Sequence, residues 1–415
     1  FLVYQPISLS VIIRPLQIIK SRWIMKILAA VFWAKNTLLL RVIIAFALPF
    51  FMLEQLALFQ EAGKQLQDIF LKFVGWTAMI IAFTALFTGT AAIQSAWRLL
   101  RIVGYFLSIA LIAIAVVYVL HMLVISFNLL NLESIKGVAS SVKNGSVKTQ
   151  SVLGNKNIWA IIVAFFVALI EIRFKERSRF FYFCQKLRKD TIEILAGVVS
   201  FWSPWVVFAS VAALLAKSDL QTLFHSFGGL VSTVWAGNAL QAVLLCTIAK
   251  VVTRVPLRNI LYIPLKAIAL GFSTGSSKVA LPEAITAAER LGIPPEKAEF
   301  LLPLAAVINM DGTALYMASV ALLLGTAVHG ELDVITMITL IPACTILAMG
   351  AAGVPMGALG MMGGILPIVG LPIETMSLLI AVDPTVARGR AIINLWGDIM
   401  GSITLNHWQK RQMIK

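Results

Sequence analysis

Residues 301–324 read LLPLAAVINMDGTALYMASVALLL, an apolar stretch broken near its centre by the polar segment NMDGT at 309–313. About 20 predominantly apolar residues suffice for an α-helix to span a bilayer, so this stretch predicts a transmembrane helix. Asp311 would then lie within the membrane, where an ionised side chain costs roughly 2.5–3.5 kcal/mol. Residues that carry this cost usually line a substrate or ion pathway, so the same stretch predicts both the fold and the site.

A re-entrant hairpin is predicted on each side of this span along the chain. Before it, the tip FSTGSSKVAL at 272–281 lies between two short apolar arms, about 256–271 and 279–288, and would be reached from the cytoplasm. After it, residues 334–371 form a second hairpin, whose tip GAAGVP at 350–355 would be reached from outside. Two such hairpins, each followed by a span with polar residues, indicate an inverted repeat with a binding site at mid-membrane.

The rest of the chain is equally apolar. Of the 415 residues, 60% are hydrophobic and 13% are charged, whereas soluble domains are about half apolar and a quarter charged. A soluble fold is therefore excluded, and the composition predicts an all-α membrane protein of eight transmembrane helices plus two re-entrant helical hairpins. The six earlier spans are predicted at about 37–60, 69–95, 102–131, 157–172, 192–216 and 228–249.

The net charge of +15 comes from Lys and Arg clusters that flank the spans. Counted in order, these clusters fall on one side, which predicts a multi-pass protein of a bacterial inner (plasma) membrane and no nucleic-acid partner. Residues 1–22 are interpreted as a lead-in on the membrane surface and 133–156 as a flexible external loop. Three isolated cysteines and four scattered histidines suggest neither a metal cluster nor a nucleophile–base pair, so the protein is predicted not to be an enzyme.

The last predicted span, about 374–407, carries Arg390, Asn394 and Asp398 at four-residue spacing. Side chains at this spacing share one helix face. A guanidinium can bind a carboxylate through two parallel hydrogen bonds, and oxygen ligands suit a hard cation such as Na⁺, so a small anion beside a cation is indicated. Arg390 could instead form a structural ion pair with Asp398 or Asp311. Purely structural roles also stay open for Asn309, Ser276 and Ser277.

These segments resemble the dicarboxylate/amino acid:cation symporter family, which has the glutamate transporter fold. The NMDGT segment at 309–313 matches that family's motif in its seventh span, and both hairpin tips are similar to the family's tips. Gly389-Arg390, Asn394 and Gly397-Asp398 match the last span. Over about 256–407 the resemblance rests on specific motifs. In the earlier part of the chain only the arrangement of the predicted spans is similar.

The resemblance implies a homotrimer of elevator-type transporters in membrane lipid. Residues 1–98, with the lead-in and spans one and two, and residues 132–218, with spans four and five and the external loop, would form a static scaffold. Residues 99–131, the third span, and residues 219–415, with span six, both hairpins and spans seven and eight, would form the moving transport domain.

The resemblance also implies the site residues. Arg390 would bind the distal carboxylate of the substrate, and the remaining substrate-binding residues would be Asn394, Thr313, Ser276, Ser277, Lys278, Ala352 and Gly353. One sodium ion would be held by Asp398 with carbonyls of Ala305, Asn309 and Asn394. A second would be held by carbonyls of Val307, Ala348, Met349 and Ala351. A third, deeper ion would be held by Asp311 and the Asn309 side chain.

Four positions depart from the family pattern. Amino acid carriers place an Asp three residues before the Arg, where it binds the substrate amine, but this position is Ala387, and the Thr that usually follows the Arg is Ala391. Both changes resemble the C4-dicarboxylate branch. Lys278 replaces a Ser or Glu at the first tip, where it would meet a carboxylate or extend to the cytoplasm. The third-span hydroxyls of the deep sodium site are absent, and Ala113 and Ile114 are nearest to that position.

The prediction is therefore a cation-coupled symporter of small dicarboxylates, with Na⁺ favoured over H⁺. C4-dicarboxylates are favoured slightly over acidic amino acids such as glutamate and aspartate. Two alternatives remain at this stage. One is a proton-coupled glutamate/aspartate carrier, and the other is a non-transporting membrane protein that retains the fold.

Overall fold

The computed structural model describes residues 38–51, 96–127, 156–171, 178–215, 220–351, 356–372 and 375–413, together with scattered positions between 65 and 88 and between 129 and 136. Within these ranges the chain is helical and contains no strand. The predicted lead-in, most of the external loop and the centre of the second hairpin tip lie outside the described residues. The all-α prediction is thus confirmed for the part of the chain that can be compared.

Five helices cover the first half of the described chain: α1 Leu38–Phe51, α2 Ala96–Ser126, α3 Lys156–Glu171, α4 Arg179–Leu215 and α5 Leu220–Thr253. The described positions between 65 and 88 are also helical. Helix α4 begins at Arg179, whereas the sequence predicted a basic linker up to about residue 191. The basic residues of that linker therefore extend a helix whose later part is apolar.

Eight further helices and one 3₁₀ turn follow: α6 Leu257–Tyr262, α7 Leu265–Thr274, α8 Leu281–Arg290, α9 Pro295–Ile308, α10 Asp311–His329, α11 Val334–Gly350, α12 Gly357–Ile365, the 3₁₀ turn Leu366–Val369, and α13 Met376–Met413. The predicted helix–tip–helix pattern is present in the first hairpin, and in the second α11 and α12 lie on either side of a tip whose centre is outside the described residues. The predicted first arm is divided in two, because Pro264 has no N–H with which to continue the ladder of α6. Gly275, in the left-handed conformation at φ 64°, ends α7 at the tip.

Three helical stretches of the described chain are long and apolar enough to cross a membrane: Arg101–Ser126, Gln221–Thr253 and Pro295–His329. A fourth is added if Arg179–Val199 and Phe201–Ala212, which meet at 49°, form one bent span. Pro204 accounts for this bend, since its ring clashes with the carbonyl four residues earlier, at Ser200. Eight spans remain a prediction.

The pair α9 and α10 lies at the centre of the fold. Every residue of the most apolar 18-residue stretch within Pro295–His329 is buried, as expected of a helix surrounded by protein on all sides. Helix α10 packs against α2, α5, α11 and α13. On α2, the hydroxyl of Tyr118 donates to the carbonyl of Met337 in α11, and His121 Nε2 lies 3.1 Å from Thr326 Oγ1 in α10. These polar contacts fix the third predicted span to the second hairpin and to the broken span.

Candidate functional site

The site is built around the break between α9 and α10, where the polar NMDGT segment lies. The N–H of Asn309 donates to the carbonyl of Ala305 at 2.7 Å and ends α9. Helix α10 starts afresh at Asp311, and the Ala314 N–H donates to the Met310 carbonyl at 2.8 Å. Asn309 and Asp311 are both completely buried. The break thus places an amide and a carboxylate inside the protein.

Two glycines allow α13 to approach this break closely. A Cβ on Gly312 would stand 2.8 Å from the Arg390 carbonyl oxygen and 2.9 Å from Ile393 Cβ. A Cβ on Gly397 would stand 2.5 Å from Asp311 Oδ2 and 2.7 Å from Asn309 Nδ2. Real Cβ contacts are not this short, so these positions require glycine for the helices to meet.

We expect Gly397→Ala to destabilise the protein by about 1–3 kcal/mol, the usual cost of overpacking a buried site. The added methyl group has to displace the Asp311 carboxylate or the Asn309 amide. Thermal unfolding in detergent measures the loss of stability. The matched control is Gly228→Ala on α5, where a Cβ meets no described atom within 4 Å. Equal behaviour of the two variants would contradict the close approach.

Asn394 on α13 ties the last helix to the start of α10. Its Nδ2 donates to Thr313 Oγ1 at 3.1 Å and lies 3.4 Å from Met310 Sδ. The Thr313 N–H in turn donates to Asn394 Oδ1 at 3.2 Å. Two of the predicted substrate-binding residues therefore hold each other in place.

Arg390 forms a buried ion pair that the sequence analysis did not predict. Its Nη1 lies 2.8 Å from Asp383 Oδ1, and both side chains are buried. Its Cζ lies 4.5 Å from the ring centroid of Tyr316, a cation–π distance. The alternative of an ion pair with Asp398 or Asp311 is therefore wrong, because the guanidinium points towards the preceding turns of α13.

A small cavity joins the first hairpin tip, α10 and α13. It is lined by Gly275, Ser277, Thr313, Ala351, Ala358, Ala387, Arg390, Ala391 and Asn394. Its volume is about 10 Å³, which is the space of about one water molecule. Polar groups from three separate segments thus converge on one point, and a ligand larger than a water molecule requires the segments to move apart.

Next to this cavity, two carboxylates and two amides form a buried cluster. Asn309 Nδ2 donates to Asp398 Oδ1 at 3.3 Å, and Gln241 Nε2 on α5 donates to Asp311 Oδ2 at 3.3 Å. Asp311, Asp398, Asn309 and Gln241 are all completely buried. Buried charges need a paired charge or a metal ion, and the described residues bring no cationic side chain to these two carboxylates.

The oxygens that remain in this cluster fit a hard cation. Asp311 Oδ1, Asp398 Oδ2, Asn309 Oδ1 and Gln241 Oε1 are buried and have no hydrogen-bond partner within the described part of the chain. Oxygen-only surroundings of this kind suit ions such as Na⁺ and not the softer transition metals. Within the described ranges, no three His, Cys, Asp or Glu side chains are grouped as metal ligands.

The predicted carbonyl ligands lie on the broken helix and at the end of α11. Ala305 and Val307 are buried in the last turns of α9. Ala348 and Met349 are buried in the last turn of α11, where the Ala348 carbonyl accepts the N–H of Ala351 at 3.0 Å. Ala351, directly after α11, lines the cavity, and the role of these carbonyls as ligands stays a prediction.

The predicted binding residues of the two hairpin tips lie in different environments. Ser277 lines the cavity, and its hydroxyl has no partner among the described residues. Ser276 is buried, and its N–H donates to Thr274 Oγ1 at 3.3 Å, a contact within the turn at the hairpin tip. Lys278 is half-buried and does not belong to the cavity lining of the described chain. Ala352 and Gly353 lie outside the described residues.

Three residues of the site were not predicted from the sequence, namely Asp383, Tyr316 and Gln241. Asp383 precedes Arg390 by seven residues, which is close to two helical turns, so the spacing on α13 was a usable signal. Tyr316 follows Thr313 by three residues on α10, and a phenolic ring in an apolar helix is not distinctive. Gln241 gives no local signal, because its contact depends on how α5 packs against α10.

The sequence profile of the sodium:dicarboxylate symporter family matches residues 38–408. Among similar proteins, the neutral amino acid transporter B(0) of Oryctolagus cuniculus is 32% identical over 225 residues, which are 54% of this chain and 42% of that protein. The excitatory amino acid transporter 5 of Homo sapiens is 33% identical over 231 residues, 54% of this chain and 40% of that protein. The chain therefore matches about two fifths of the length of these relatives.

Proposed function

This chain belongs to the sodium:dicarboxylate symporter family, and from that membership we propose that it is a Na⁺-coupled symporter that takes up small dicarboxylates. C4-dicarboxylates are its preferred substrates, ahead of glutamate and aspartate. The observation that carries the proposal is the buried Arg390 at the wall of a cavity lined by Thr313, Asn394 and the first hairpin tip.

Arg390 can bind a substrate carboxylate while it keeps its ion pair with Asp383. A guanidinium has five N–H donors in a rigid fork, of which Asp383 occupies only part. Asp383 and the Tyr316 ring hold the fork in one orientation, so little side-chain entropy is lost when a carboxylate binds. The remaining polar groups for the second carboxylate are the Ser277 hydroxyl, the Asn394–Thr313 pair and the backbone of the tips.

The cations are proposed to bind where buried oxygens lack partners. Asp398 is the central acidic ligand of one site and Asp311 that of the deeper one, with Asn309 between them. Bound sodium supplies the positive charge that these carboxylates lack. Carbonyls of the broken helix and of the second hairpin complete the proposed ligand set, namely those of Ala305, Val307, Asn309, Ala348, Met349, Ala351 and Asn394.

We also propose the division of the chain into a moving transport domain and a scaffold. The polar ties from α2 to α10 and α11 support grouping residues 99–131 with residues 219–415. The packing of α1 against α4 supports a scaffold of residues 1–98 and 132–218. A trimer with elevator-type movement in a bacterial inner membrane completes the proposal.

Asp398→Asn should raise the sodium concentration for half-maximal uptake by at least about 10-fold, or ~1.4 kcal/mol. The substitution keeps the shape of the side chain but removes the charge that a mid-membrane cation needs. Uptake of labelled succinate, fumarate, aspartate and glutamate into proteoliposomes, with and without an inward sodium gradient, measures this effect and tests the function. Unchanged sodium dependence in the variant would contradict the ligand assignment. Wild-type uptake that follows only a proton gradient would overturn sodium coupling.

A further inference from the structure

Gln241 is a completely buried polar residue on α5 that faces the acidic cluster. Its Nε2 donates to Asp311 Oδ2 at 3.3 Å. Its Oε1 is buried as well and meets no hydrogen-bond donor within the described ranges. A buried amide oxygen without a donor costs desolvation free energy that no hydrogen bond offsets. The contact with Asp311 therefore satisfies the nitrogen of this amide but not its oxygen.

The other free groups around Gln241 are acceptors too. Asp311 Oδ1 and Asn309 Oδ1 are buried without a partner among the residues that the structure describes. With Asp311 ionised, these three oxygens cannot satisfy one another, since none of them carries a hydrogen to donate. A cation bound between them would satisfy all three at once.

Helix α2, which packs against α10, presents no free buried hydroxyl to such an ion in its described residues, because the Tyr118 hydroxyl donates to Met337 and the Tyr105 hydroxyl is hydrogen-bonded to Thr404. Its buried face towards the core is apolar and includes Ala110, Ala113, Ile114 and Val117. The two serines of residues 96–126, Ser108 and Ser126, are both exposed. A cation at Asp311 therefore needs a further side-chain oxygen from another helix, and α5 presents one in Gln241.

We propose that Gln241 is a ligand of the cation at Asp311 and also positions that carboxylate. Its Nε2 holds one carboxylate oxygen, which turns the other towards the ion, and its Oε1 supplies the oxygen that α2 does not. The inference rests on the proposed sodium coupling and extends it to a residue on a different helix.

The test measures sodium binding without transport. Purified protein in detergent, without substrate, is unfolded thermally at increasing NaCl, with choline chloride keeping the ionic strength constant. A ligand that binds only the folded state raises the unfolding temperature, and the rise yields an apparent dissociation constant for sodium. Gln241→Leu should raise this constant at least about 10-fold, or ~1.4 kcal/mol.

Asn238→Leu is the matched control. Asn238 lies three residues earlier on α5, is buried, and has an amide without a hydrogen-bond partner in the described chain. It lies against Gly389 and not against the acidic cluster, so its replacement should leave the sodium constant unchanged. Gln241→Met, which keeps the length of the side chain but has no amide, should raise the sodium constant in the same way and covers the case in which Gln241→Leu does not fold.

The outcomes separate the two proposals. A wild-type sodium constant in Gln241→Leu or Gln241→Met, or an equal shift in Asn238→Leu, would overturn the role of Gln241 alone. Wild-type protein that sodium does not stabilise at all would overturn the sodium coupling on which the inference rests.

Discussion

Arg390→Gln should reduce the uptake of labelled succinate, at concentrations far below saturation, by at least about 100-fold, or ~2.7 kcal/mol. The pair in question is the guanidinium and the bound substrate carboxylate, and truncating one partner of such a buried charge pair costs about 2–5 kcal/mol of binding free energy. Arg390 is the cavity's only charged side chain within the described lining, so no other group there can neutralise a substrate carboxylate. Initial rates of uptake under a fixed sodium gradient give the measurement.

This variant also leaves Asp383 buried without its ion-pair partner, so loss of uptake could follow from loss of stability. The double variant Asp383→Asn/Arg390→Gln removes both charges, and neutral replacement of a buried ion pair is often tolerated. We expect its unfolding temperature to return towards that of the wild type while uptake stays lost. Wild-type uptake in the double variant, or less than a tenfold loss in Arg390→Gln, would show that the guanidinium does not bind the substrate.

The sequence predicted the parts of this fold that depend on local chemistry. The NMDGT segment interrupts its helix where an amide and a carboxylate cannot continue an apolar span, and α9 ends at Ile308, directly before it. Gly275 ends the first hairpin arm for an equally local reason, its left-handed backbone. The extra break at Pro264 was predictable from the same kind of reasoning, since proline lacks the N–H that a helix interior needs.

Contacts between distant segments were not predictable in this way. Helical spacing placed Arg390, Asn394 and Asp398 on one face, but the direction of the Arg390 side chain selects Asp383, on the preceding turns, as its partner. Gln241 meets Asp311 across 70 positions of sequence. That contact depends on the packing of α5 and α10 and on the space that Gly397 leaves for Asp311.

Ala387 is the position that we expect to determine the substrate class. It lines the cavity three residues before Arg390, and its methyl group offers no charge to a substrate amine. Of the other acidic residues, Asp383 pairs with Arg390 and Glu283 pairs with Lys266 at 2.7 Å. Asp311 and Asp398 lie in the buried cluster that we propose to bind the cations. A buried ammonium without a partner costs several kcal/mol, so succinate, fumarate or malate should compete better than aspartate.

Ala387→Asp should shift the ratio of succinate to aspartate affinity by about 100-fold towards aspartate, or ~2.7 kcal/mol. The new carboxylate repels the dicarboxylate and attracts the amine of aspartate. Competition of both compounds against labelled succinate, in the wild type and the variant, gives the ratio. Ala387→Asn is the matched control, since it adds the same volume without charge and should weaken both compounds alike. If aspartate outcompetes succinate tenfold or more in the wild type, the dicarboxylate preference is wrong and an amino acid substrate is the better assignment.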